Sequence, residues 1–335
     1  MVKISPLKIE YFRMSIFLTF LSITNFSCVE NNIFNPEKNN STIFKDIPNL
    51  RILNIPTYDG SNQAVHPDIL FFEDGLNGHY FYLTMTPYPN SNDKFENPSI
   101  LVSENGFDFY EEIIGLNPLV DYPKDGHNDD PDIIYIDELE TFLIYYLETI
   151  KPDSQNVMML KSQNGINWDK ERLIHYDLHN GDHFIVSPAV LQTNDKFYMF
   201  YVNISLPGHP IQFLTSVNGT FCDKDSLQNI NTKLPGELIP WHIDVFTGPD
   251  KYYMLCSGPY NDSNLYLATS TDLIEWSFIK KPILKNSNSY FLSKKIYRSS
   301  GLINNQTLII WFSFSNYAGE WHIGVKKYSL IDIFN

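Results

Sequence analysis

Four times the chain writes a turn that begins with Ser, reaches Asn or Asp two residues later and closes on an aromatic, each time after a strand-like run. The copies are Ser103-Glu104-Asn105-Gly106-Phe107-Asp108-Phe109, Ser162-Gln163-Asn164-Gly165-Ile166-Asn167-Trp168, Ser216-Val217-Asn218-Gly219-Thr220-Phe221-Cys222 and Ser270-Thr271-Asp272-Leu273-Ile274-Glu275-Trp276. Their fourth residues (106, 165, 219 and 273) stand 59, 54 and 54 apart. A near-fixed period of this length marks an architecture built by repeating one supersecondary unit. The turn itself has a structural explanation: Asn or Asp accepts backbone N–H bonds, Gly permits positive φ, and the aromatic packs between sheets.

Each unit opens on a short apolar strand and continues into an aromatic-rich one. Those second strands are Tyr80–Met85, Phe142–Leu147, Phe197–Val202, Tyr252–Cys256 and Leu308–Ser313. A third strand leads into each turn, as in Leu265-Tyr266-Leu267-Ala268, and Trp321–Val325 takes that place in the last unit. The runs are β-branched and aromatic, bounded by Gly, Asn and Asp, and have no helical period. Five such units fit between about residue 60 and the end, which predicts an all-β, five-bladed propeller. The fifth lacks its own turn and outer strand, so Leu50–Ile55 is expected to complete it and close the ring. A sandwich with coincidental spacing is the competing fold.

A chain of 335 residues with 43% hydrophobic and 15% aromatic content can bury a large core. Its net charge of −15 excludes nucleic acid as a partner and disfavours anionic lipid surfaces. The three cysteines make neither a disulfide framework nor a zinc ribbon, and a Cys222–Cys256 pair stays open. Lys3, Lys8 and Arg13 precede the apolar run Ser15–Ile23, too short to span a bilayer, in the order of a secretory signal peptide. The closing Asn25-Phe26-Ser27-Cys28 resembles a bacterial lipobox. That resemblance implies a signal peptide over 1–27, lipid on Cys28, a polar tether over 28–48 and a domain over 49–335, held at the cell envelope by its anchor.

The openings of the units carry the candidate chemistry: His66-Pro67-Asp68, Asp130-Pro131-Asp132, Ser187-Pro188-Ala189, His242-Ile243-Asp244 and Tyr297-Arg298-Ser299. In a propeller the first strand of each blade lines the axis, so their third positions (Asp68, Asp132, Ala189, Asp244 and, less regularly, Ser299) would converge at one mouth of the channel. Stability alone does not ask for three convergent aspartates, since like charges in a cleft repel. Capping of backbone N–H groups at strand starts is the structural alternative for each.

With the Ser-x-Asn-Gly-x-x-Trp turn of the second unit, these openings resemble the five-bladed propeller glycoside hydrolases, the arabinanases and xylosidases of family 43 with invertases and mannoside phosphorylases as relatives. The resemblance implies Asp68 as the base that activates water and Asp132 as the residue that orients the sugar, with Asp130 beside it. The family's acid, a Glu on blade three, is replaced here by Ser187-Pro188-Ala189. Asp244 is the first candidate for that role and His242 the second; Glu96 and Glu148 are alternatives.

Arg298 would pair with an aspartate or grip a substrate, and Trp241, Trp321 and Tyr88 would present faces to a sugar. His322 would be buried or would bind a channel water or metal; no cofactor is required, and a channel calcium is an option by resemblance. His127 and His183 read as solvated loop histidines. The expected function is inverting hydrolysis of a glycosidic bond by a monomeric enzyme. A non-catalytic glycan-binding lipoprotein is the alternative, and a phosphorylase is third, short of basic residues.

Overall fold

The computed structural model describes residues 44–259, 263–285 and 295–335. The expected signal peptide over 1–27 and Cys28 lie outside them. A first strand β1 (Leu50–Ile52) is followed by three strands of blade one, β2 (Ala64–Leu76), β3 (His79–Pro87) and β4 (Ser99–Ser103). Blade two holds β5 (Gly126–Ile136), β6 (Thr141–Ile150), β7 (Ser154–Ser162) and β8 (Asp169–Asp177). Blade three holds β9 (Ile185–Gln192), β10 (Phe197–Asn203), β11 (Ile211–Ser216) and β12 (Gln228–Asn229). Then β13 (Asn231–Lys233) runs parallel to β17 at the outer edge of blade four, whose meander is β14 (His242–Thr247), β15 (Tyr252–Ser257), β16 (Leu265–Ser270) and β17 (Glu275–Phe278). Blade five is β18 (Lys295–Asn304), β19 (Thr307–Ser315) and β20 (Trp321–Ser329).

The expected closure is present: β1 pairs antiparallel with β20, Leu50 opposite Lys326 and Ile52 opposite Gly324. Phe44 and Ile47 are also buried in the core below that strand. Residues 44–48, expected to end the tether, are therefore packed against the domain.

The innermost strands β2, β5, β9, β14 and β18 pack each on the next, and β18 packs on β2, so the sheets form a closed ring. Alternation along each strand sends side chains to the two neighbouring seams. On β3, Phe81 and Leu83 enter the core shared with blade five, whereas Tyr82 enters the one shared with blade two. Among the described residues the buried apolar side chains form five such clusters, one between each pair of adjacent blades.

The repeated turn is structural, as its chemistry predicts. Asn105 Oδ1 accepts from the N–H groups of Phe107 and Asp108, and Ser103 Oγ from those of Asn105 and Gly106. Asn164 and Asp272 repeat the arrangement. Gly106 sits at φ +78°, and a Cβ there would come within 3.0 Å of the Phe81 ring. The carbonyl of each tight turn is also used: Trp311 Nε1 on blade five donates to Gly106 O at 2.8 Å, and Tyr145 on blade two donates to Gly219 O at 2.8 Å. Cys222 is exposed and Cys256 buried, and no disulfide joins them.

Replacing the fully buried Trp311 by Phe should lower the unfolding free energy by about 1–3 kcal/mol, because Gly106 O loses its partner inside the seam. Urea melts would read this as a lower midpoint at unchanged slope, and an unmoved midpoint would show that the seam does not need the bond.

Candidate active site

Four of the five inner strands are interrupted where they reach the axis, while β14 pairs with β15 without a slip. The pairing register slips between Val65 and Asp68, between Asp129 and Asp132, opposite Phe200–Val202 in blade three, and between Ile296 and Ser299. A β-bulge re-aims side chains and suits residues that cannot donate to the ladder. That accounts for Pro67, Pro131 and Pro188 at the slips in blades one to three. The residue before each proline is left-handed: His66 at φ 55°, Asp130 at 51° and Ser187 at 59°. Such backbone costs about 1–3 kcal/mol per residue and persists only where the surroundings enforce it.

The bulges split the unit openings into two layers. In the deeper layer lie Asp68, Asp132 and Asp244, at 5%, 2% and 4% exposure, one oxygen of each within 4.8 Å of the others. Asp68 accepts from Ile133 N at 2.6 Å, Asp132 from Val190 N at 2.8 Å and Asp244 from Gly301 N at 2.8 Å. Each carboxylate thus caps the backbone of the following blade, the structural alternative raised for these residues. Ser300, rather than Ser299, completes the series by accepting from Ile69 N and donating to Asp68.

Arg298 fills the axis beneath, fully buried, and donates to Pro188 O at 2.7 Å and to Asp132 at 3.0 Å. It pairs with aspartates of both layers, Asp130 Oδ1 lying 3.5 Å from its other Nη. Burial pushes all three carboxyls up: Asp68 against the pull of Arg298, Asp132 with Asp68 adding to the rise, and Asp244 to about 8. Their spacing is shorter than the roughly 6.5–9.5 Å that an inverting pair of carboxylates needs for a water between them.

One layer nearer the mouth, His66, Asp130 and His242 come together. Asp130 Oδ1 lies 3.4 Å from His66 Nε2 and 3.3 Å from His242 Nδ1. Asp130 Oδ2 is anchored by Ser187 N at 2.8 Å, and His66 Nδ1 by Thr86 Oγ1 at 3.0 Å. His66 Nε2 and both ring nitrogens of His242 are buried without a hydrogen-bond partner. An orphaned buried nitrogen is costly unless something occupies it. Burial, reinforced by His242 and Arg298, lowers His66 to about 3, so its imidazole is neutral. Burial alone would raise Asp130, but His66, His242 and Arg298 outweigh it and hold the carboxyl well below the usual range.

Beside this group stands another that the sequence reading had left apart. His127 is a buried residue of β5, 7% exposed, not the solvated loop histidine expected. Its Nε2 lies 2.9 Å from Asp129 and 3.7 Å from Glu96. Glu96, 4% exposed, is carried in on the loop after a short 3-10 turn (Asp93–Phe95), where its carbonyl accepts from Asn128 N. Glu96 Oε1 reaches within 3.8 Å of His66 Nδ1, which joins the two groups. Burial, with Asp129 and Asp130 nearby, raises Glu96 well above its usual value.

The rim is aromatic. Tyr297 stacks on His66 at 5.3 Å and meets His242 edge-on at 4.0 Å. Trp241 hydrogen-bonds Tyr297 from one side, and Trp321 packs between Tyr297 and Tyr88 on the other. His322 is not part of this assembly; it packs on Phe314 and faces Glu320 at 4.0 Å. Glu148 accepts from Asn156 Nδ2 at 2.7 Å. His127, Asp129 and Tyr297 were missed, although the recurring X-Pro step and the His-x-Asp alternation before Asp130 are visible in the sequence.

Comparison with known proteins gives the fold a context. No family profile matches the chain. A blood-group-A N-acetyl-α-D-galactosamine deacetylase of Flavonifractor plautii is 24% identical over 314 residues, covering 75% of this chain and 40% of that protein, so the chain spans about two-fifths of the relative's length. The crystal structure of an N-acetylgalactosamine deacetylase from F. plautii, in complex with blood group B trisaccharide, superposes with a TM-score of 0.74 at 21% identity, over 84% of this chain and 95% of that one. A thermostable family-43 glycoside hydrolase follows at 0.58 and 15% identity, over 79% and 89%. The fold is that of the five-bladed family-43 propellers.

Between about pH 4 and about pH 8, folded Asp244 keeps a proton that the unfolded chain has released, so its burial makes stability fall as pH rises through that window. Asp244→Asn, which keeps an acceptor for Gly301 N, should show a smaller drop in melting temperature across the window than the parent. Identical slopes would remove Asp244 as the cause.

Proposed function

We propose that the chain is a hydrolase acting on a carbohydrate, and that the bond it cuts is the amide of an N-acetylated amino sugar. The observation that carries this reading is the buried His66–Asp130–His242 group with its unpartnered ring nitrogens. Two imidazoles and one carboxylate are a donor set that leaves positions open for water and substrate. Donors about 2.1 Å from a tetrahedral cation stand about 3.4 Å apart, and the two gaps to Asp130 are 3.3 and 3.4 Å. A divalent cation held there would polarise the acetyl carbonyl and help water ionise.

The protein's own groups do the rest. Neutral His66 and ionised Asp130 are in the protonation states a cation requires. Glu96 Oε1 lies 3.8 Å from His66 Nδ1, and this carboxyl, whose proton affinity burial raises, is the candidate to take the proton of the attacking water and pass it to the departing nitrogen. Water's oxygen joins the acetyl carbon, the C–N bond breaks, and acetate and a free amine leave. Tyr297, Trp241 and Tyr88 offer faces on which a pyranose can stack. The likeness to N-acetylgalactosamine deacetylases supports the choice of amide. The family-43 likeness supports a second reading, glycosidic cleavage, in which Asp68, Asp132 and Asp244 would have to exchange their backbone partners for water.

The purified protein should release acetate from oligosaccharides ending in N-acetylgalactosamine, lose at least 100-fold in rate on chelation or as His242→Ala, and recover on adding zinc or manganese to the chelated parent. Reducing sugar appearing instead of acetate, undiminished in His242→Ala, would favour glycosidic cleavage. We also propose export with lipid on Cys28: labelled palmitate should enter the parent in a bacterial host and not Cys28→Ser, and equal labelling would exclude the anchor.

A further inference from the structure

Glu96 has two oxygens, and they face different histidines. Oε1 looks to His66, within 3.8 Å, while Oε2 lies 3.7 Å from His127 Nε2. Around that second oxygen, Glu96, His127 and Asp129 each bring a ligand-type atom within 4.8 Å of the others. The gaps of 3.7 and 2.9 Å bracket the edge expected of a small divalent cation with N and O donors, about 3.4 Å.

Two further features suit a cation there rather than a simple ion pair. Asp129 Oδ1 is buried with no hydrogen-bond partner, so the carboxylate has capacity that His127 does not use. The outer nitrogen of His127, Nδ1, faces the carboxylate of Asp93 at 4.0 Å, and Asp93 is in turn held by Lys151. Metal-binding histidines are commonly oriented this way, with one nitrogen inward and the other toward an outer carboxylate. Nothing similar is needed to hold a histidine that merely pairs with Asp129.

We propose that Glu96, His127 and Asp129 form a second divalent-cation site, next to the His66–Asp130–His242 site and separated from it by the His66 ring, so that the protein carries two cations in one pocket. The inference rests on the deacetylase reading only in placing both cations at one pocket. With Oε2 on the second cation, Glu96 is an ionised carboxylate, and Oε1 stays free beside His66 Nδ1. Paired cations suit an amide, whose carbonyl oxygen and departing nitrogen both need stabilisation.

Metal counting on the full-length protein tests this without a substrate. Apo protein titrated with zinc alone, then dialysed and analysed by elemental mass spectrometry, should hold two equivalents. His127→Ala and His242→Ala, each checked by circular dichroism for an intact β fold, should hold one. One equivalent in the parent that persists in His127→Ala and is lost in His242→Ala overturns the second site and leaves the deacetylase reading standing. Two equivalents retained in His127→Ala also overturn it. No tightly held zinc in the parent would remove both sites together.

Discussion

The ring is held shut by single hydrogen bonds that pass from each inner strand to the backbone of the next. Asp68 takes Ile133 N, Asp132 takes Val190 N, Asp244 takes Gly301 N and Ser300 takes Ile69 N. The seam from blade three to blade four lacks a carboxylate, since Ala189 stands in the series, and there Ser187 Oγ takes Ile243 N instead. All five seams are therefore stitched at the axis by a side chain from the preceding blade. Bending the sheets inward brings three acids into a dry space, and Arg298 supplies the one guanidinium that makes their proximity tolerable. Leaving such a buried acceptor unpaired is costly.

This division of labour shows in how the openings are used. The X-Pro step pushes the residue before proline toward the mouth and leaves the residue after it in the ladder. In blades one and two the residue before proline joins the His66–Asp130–His242 group, and the residue after it bonds the backbone of the next blade. Blade three shows the rule with its chemistry removed: Ser187 occupies the outward position and spends its hydroxyl on the seam. The backbone strain at His66, Asp130 and Ser187 is stored at the place where a pocket of converging nitrogen and oxygen atoms is needed.

The fold was legible because period and turn chemistry are local signals repeated four times, and because the missing outer strand of the last unit had an obvious donor in Leu50–Ile52. The site was only half legible. His66, Asp130 and His242 could be placed near the axis from their unit positions, but their layer depends on bulges that pairing, not composition, defines. Glu96 and His127 belong to elements separated by a long loop, and only the bond from Asn128 N to Glu96 O brings them together. Histidine 127 looked solvated since its neighbours Gly126, Asn128 and Asp129 are those of a turn. Asn128 is instead fully buried, clasping Asn97.

Pairing of β1 with β20 joins the first described strand to the last. A nascent chain can fold its internal hairpins as they emerge, yet the circle stays open until translation has delivered the final hairpin. The axis is therefore complete only once that hairpin has met β1, and any cation would meet a finished pocket only after that contact. The long sequence separation of that last contact makes its formation slow. Partly circularised intermediates would present the unpaired edge of β20, which is where a chaperone or a second chain would find purchase.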